Sequence, residues 1–122
     1  METQAEKLRA RTKQFAIRIV GLFKSLPKTE EARIIGKQVL RAGTSVAANY
    51  RAVCRARSHA EFESRMGVFV EEADETVFWL ELLVDTTIIR ESLMQGLLAE
   101  ANELLAIFAA SHRTARQMRK GQ

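Results

Sequence analysis

Apolar residues recur every three or four positions along nearly the whole chain, and only Leu26-Pro27, Ser58-His59 and Asp85-Thr86 interrupt them. That spacing collects them on one stripe of a helix and fits no strand, whose side chains alternate faces. Gly is sparse, Pro occurs once, and Asn-Gly or Asp-Gly hairpin signals are absent. The pattern predicts few, long helices in a single domain spanning 1–122.

The first predicted helix covers about 5–26, with Leu8, Phe15, Ile19, Leu22 and Leu26 on its stripe and Thr12 and Phe23 flanking. Pro27 stops it, because the residue before a proline is pushed out of helical geometry. Thr29 is the expected N-cap of a second helix over about 30–57, with apolar Ile34, Ile35, Val39, Ala42, Val46, Tyr50 and Val53. Ser58-His59-Ala60-Glu61 reads as a capping box opening a third helix to about 84, along Phe62, Met66, Phe69, Ala73, Val77, Leu80 and Val84. Thr86 or Thr87 is the expected cap of a fourth helix over about 88–116, with Leu93, Leu97, Ala101, Leu104 and Phe108 inward. Four helices of ~22–28 residues with short connections pack as an up-down-up-down bundle, an all-α fold.

Several chemistries fail on residue type. Di-metal carboxylate bundles use Glu-x-x-His pairs, and here no Glu precedes a His at that spacing. His59 and His112 fall near helix ends, His59 as an exposed first-turn residue. Ser45 lies mid-helix without a nucleophile elbow. Cys54, the only cysteine, has no patterned His partner and reads as a small packing residue. No Gly-rich loop suggests a phosphate cradle. The expectation is no catalytic residue, metal or cofactor. A lone cysteine, no apolar run near the ~20 residues of a membrane span, and no apolar secretory core at the N-terminus point to the cytoplasm.

Two polar features remain. Gln38, Arg41, Ser45 and Asn49 are spaced 3, 4 and 4 apart, so they share one stripe of the second helix. Ser and Asn are mediocre helix formers, so their alignment suggests a specific counterpart. The acidic run Glu71-Glu72-Ala73-Asp74-Glu75 supplies one. The expected result is a polar seam in which a buried Arg41 pairs with Glu72 or Glu75, completed by Gln38, Ser45 and Asn49. The second feature is charge segregation. Residues 59–91 carry nine acids and two bases, whereas residues 41–58 carry four arginines and no acid. Such asymmetry reads either as helix-to-helix matching or as a basic face for nucleic acid. Arg51, Arg55 and Arg57 gather at one helix end and are the candidate binding residues.

Phe15-Ala16-Ile17-Arg18, Ser25-Leu26-Pro27, Gln38 through Arg51, Glu61-Phe62, Glu71 through Glu75 and Phe78-Trp79-Leu80-Glu81-Leu82-Leu83 together carry a resemblance. Over about residues 10–115 the chain resembles the four-helix bundle proteins named after the intervening sequences of bacterial 23S ribosomal RNA genes. The resemblance implies a ring-shaped homopentamer without established enzyme activity. Its relatives include the accessory variability proteins of diversity-generating retroelements, basic pentameric barrels that bind nucleic acid and a reverse transcriptase. Val68, Val70, Leu82, Leu83, Ile88 and Ile89 fall outside the main apolar stripes and would supply an interface between subunits. Two functions follow: an oligomeric accessory that binds RNA or DNA, or a protein-protein scaffold without nucleic acid.

Overall fold

The computed structural model describes residues 1–120. Four helices follow one another: α1 Gln4–Ser25, α2 Glu30–Cys54, α3 His59–Asp85 and α4 Glu91–Lys120. Among the described residues there is no strand. Each helix packs on the next in sequence, and α1 and α4 close the bundle along its lightest seam. Short connections force this antiparallel order, since a few residues reach only an adjacent helix end.

The core follows the apolar stripes. Phe15 and Ile19 of α1, Val39, Ala42 and Val46 of α2, Phe69 and Leu80 of α3, and Leu104 and Phe108 of α4 are buried. One end is filled by aromatic rings, with Phe69 and Phe108 centroids 4.2 Å apart and Tyr50 5.5 Å and 5.2 Å from them. Tilted and edge-on pairs of this kind add to simple burial. Thr12 is buried too, its hydroxyl donating to the Leu8 carbonyl at 2.9 Å. Gly43 explains how closely α1 and α2 approach. A Cβ there would sit 2.7 Å from the buried Ile19 side chain.

Several boundaries differ from expectation, each for a local reason. α1 begins earlier, because Thr3 and Glu6 form a reciprocal cap: the Thr3 hydroxyl accepts the Glu6 N–H, and the Glu6 carboxylate accepts the Thr3 N–H. α2 ends at Cys54, three residues short of the predicted Arg57. Arg55 and Ala56 instead donate their N–H groups to Ala52 and Val53 carbonyls, a tightening that closes the helix. Ser58 does cap α3, accepting the Glu61 N–H at 3.1 Å. The Glu61 carboxylate, however, accepts the Arg57 N–H rather than that of Ser58. The Arg57 bond, and then Arg65, hold the Glu61 carboxyl below the usual carboxylate range.

Neither Thr86 nor Thr87 caps α4. Thr86 closes α3, and Thr87 turns the chain with φ 59°, the left-handed region that a β-branched residue rarely enters. Ile88 and Ile89 then fold back, both donating to the Leu83 carbonyl, so α4 starts at Glu91. It continues to Lys120, past the predicted end near Arg116. α4 is also long and apolar enough to cross a membrane on composition alone. Its Met94, Leu97, Leu104 and Phe108 are packed into the bundle core.

Exposure overturns some core assignments. Ile34 and Leu93 are exposed, and Leu83, expected at an interface, is fully buried. Val70, Leu82, Ile88 and Ile89 are half-buried. The exposed apolar set is Ile17, Ile34, Val68, Phe78, Leu93 and Met118, besides the N-terminal Met1. Cys54 is exposed and not a packing residue. His59 is half-buried, its Nε2 2.9 Å from the Ala115 carbonyl of α4.

Candidate anion-binding groove

Arg51 lies in the last turn of α2 and Arg55 is its C-cap, four residues on, and both border the same groove. α1 runs alongside, and its Arg9 and Lys13 stand at the same spacing. These four cations line one groove of about 660 Å³ between α1 and α2. Ala10, Ala47 and Ala48 form part of its lining, and Thr44 and the Cys54 thiol also face it. On the other side of α2, Arg51 and Arg55 border a second groove with Arg65, of about 530 Å³. The two arginines thus form a ridge between two basic concavities. The three alanines carry short side chains, so the four longer cationic ones supply most of the groove's polar reach.

Ion pairs join other parts of the bundle. Arg11 pairs with Glu100 at 2.6 Å and Glu103 at 3.2 Å, closing the α1–α4 seam. The Glu100 carboxylate raises the Arg11 pKa above its ordinary value. Arg65 pairs with Glu61, Arg119 with Glu63, and Arg41 with Glu72 and Glu75. Among the described residues, Arg9, Lys13, Arg51, Arg55 and Arg57 make no ion pair. Arg57 stands apart from the other two predicted arginines: it follows the end of α2 and lines neither groove. Arg9 and Lys13 were missed by the sequence reading. Their signal was the i,i+4 spacing of two bases on α1, which means nothing until the bundle places it beside Arg51.

The polar seam is partial. Arg41 Nε donates to Gln38 at 3.2 Å, and its terminal nitrogens face Glu75 and, at 3.7 Å, Glu72. Glu75 also accepts the Trp79 indole N–H at 3.1 Å. Yet the Arg41 side chain is 48% exposed, so it is not the buried cation expected. Among the described residues neither Ser45 nor Asn49 makes a side-chain hydrogen bond, although both are half-buried. Glu72 Oε2 is buried without a hydrogen-bond partner. The seam ties α2 to α3 at one point rather than along its length.

Among the described residues no group of three or more His, Cys, Asp or Glu side chains is placed to hold a metal ion. Burial, and then the neighbouring Cys54 thiol, push the Tyr50 phenol up to about 12.

The 23S rRNA-intervening sequence protein family matches residues 6–110. The chain belongs to that family. A crystal structure of a protein of unknown function from the S23 ribosomal protein family of Bacteroides thetaiotaomicron superposes with a TM-score of 0.83 at 31% identity. The match covers 91% of this chain and 99% of that one. Among curated proteins, none matches this chain. The shared four-helix architecture therefore extends over nearly the whole molecule.

Proposed function

We propose that this protein is a non-enzymatic, homo-oligomeric module of the cytoplasm that binds the phosphate backbone of RNA or DNA through the α1–α2 groove. The observation that carries the reading is the quartet Arg9, Lys13, Arg51 and Arg55, which faces one concavity without a carboxylate partner. Four cations held together repel one another, and an anion seated among them relieves that repulsion. Arginine suits phosphate because its planar fork offers parallel donors. Among the described residues no aromatic ring lines the groove, so the contact is to backbone phosphate rather than to stacked bases. The predicted preference is for charge and not for sequence.

One groove of this kind binds weakly. A ring, as the family resemblance implies, repeats the quartet around an axis and converts weak contacts into avidity. The competing scaffold reading draws on the exposed Ile34 and Phe78, which a nucleic-acid module has no need to display. The two are separated by titrating a labelled single-stranded RNA at two salt concentrations. Phosphate contact requires binding that weakens as salt rises, because neutralised phosphates release counterions. Arg51→Gln/Arg55→Gln must weaken it further. Absent binding, or equal binding by both proteins, leaves the scaffold.

A further inference from the structure

The turn joining α1 to α2 holds an apolar pocket of about 380 Å³ with a cationic rim. Its apolar side is Phe23, Leu26 and Pro27, and its rim is Lys24, Lys28 and Arg33. Gly36 gives this wall its shape. A Cβ at Gly36 would lie 2.6 Å from Leu26 Cδ1 and 3.3 Å from the Phe23 ring, so glycine lets both side chains lie down against α2. Among the described residues none of the three rim cations makes an ion pair. An occupant that satisfies all of this is an apolar group flanked by carboxylates.

The same chain carries such a group. Phe78 is 53% exposed on the outer face of α3. Its ring meets Trp79 edge-on at 5.0 Å, and Trp79 is itself anchored to Glu75. Asp74 and Glu81 lie four residues before and three after Phe78, which places them on the same face. Neither takes part in an ion pair among the described residues. An exposed phenyl ring held by its neighbour loses little freedom on docking, and charge complementarity fixes orientation.

We propose that the α1–α2 turn pocket of one copy receives Phe78 of a second copy, with Asp74 and Glu81 facing Lys28 and Arg33. This rests on the oligomeric part of the function proposed above and supplies its interface. Pocket and knob are different surfaces of the protomer, so the contact is head-to-tail. Such contacts close into rings when the rotation allows it. The groove quartet of Arg9, Lys13, Arg51 and Arg55 takes no part and stays free for phosphate.

Light scattering on two variants tests it. Phe78→Ser destroys the knob and keeps the pocket; Lys28→Glu/Arg33→Glu destroys the rim and keeps the knob. All three positions are exposed, and circular dichroism confirms that each variant retains its helices. The expected result is an oligomeric parent and two variants that each fall to the 13.8 kDa monomer. Mixed together, they form a one-to-one dimer, because one good knob meets one good pocket. A parent that is oligomeric while either variant keeps its mass overturns this interface and leaves oligomerisation standing. Two monomeric variants that do not pair on mixing also overturn it. A monomeric parent overturns both the interface and the oligomeric reading, while phosphate binding by the groove is measured separately.

Discussion

Arg41 shows how exposure sets the worth of an ion pair. It joins α2 to α3 through Glu75 and Glu72, yet nearly half of its side chain meets water. A buried pair broken on one side costs ~3–5 kcal/mol; a water-exposed one is worth roughly 0–1 kcal/mol. Arg41→Ala is therefore expected to cost about 1 kcal/mol. Chemical denaturation measures it, and a loss several times larger would show the seam to be a buried network. Tyr50 gives the second residue-scale prediction. Its phenol titrates near 12 in the fold against an ordinary value of 10.0. A raised pKa means that the fold favours the neutral form. That contribution is complete below pH 10 and is lost as pH rises towards about 12. Stability of the parent should fall more steeply than that of Tyr50→Phe between those limits. Parallel curves would contradict the assignment.

At the level of elements, helix existence and type were legible because apolar spacing is set by the helix itself. The ends were less so, because they depend on where carbonyls find partners. Nothing in Cys54-Arg55-Ala56-Arg57 signals a stop, and the helix unwinds there because Ser58 needs extended backbone to cap α3. Ile88 and Ile89 read as the start of α4 but are consumed in closing α3 onto Leu83. Thr87 bears the strain of that reversal, so Thr87→Gly should stabilise the protein by about 0.5–1 kcal/mol, its freedom in the unfolded chain offsetting part of the relief. A lowered melting temperature would mean that the Thr87 hydroxyl, which donates to the Thr86 carbonyl at 2.6 Å, outweighs the strain. Gly43 shows the same dependence on context between elements. As a sequence it is a small residue in a helix; in the bundle it is the space Ile19 occupies. Gly43→Ala should lose about 1–3 kcal/mol through overpacking, despite the better helix propensity of alanine. A rise in stability would show that Ile19 can move aside.

For the whole molecule, the segregation of charge in the sequence resolves into matched and unmatched parts. Arg11, Arg41, Arg65 and Arg119 are matched within the fold. Among the described residues, Arg9, Lys13, Arg51 and Arg55 on one side, and Asp74 and Glu81 on another, form no ion pair. Sequence reasoning reached half of the groove's cations, since Arg51 and Arg55 stand in one acid-free run. It could not find Arg9 and Lys13, which lie some forty residues away and join the site only through the α1–α2 packing. Phosphate binding by this quartet is the function proposed above. Its most direct test is the slope of log K against log salt for single-stranded RNA, compared between the parent and Arg9→Gln/Lys13→Gln/Arg51→Gln/Arg55→Gln. Each phosphate contact contributes about −0.7 to that slope on a single strand. Phosphate contact by the quartet gives a steep parental slope that flattens by about 0.7 for each lost contact. An unchanged slope, or a parent whose binding ignores salt, would contradict it.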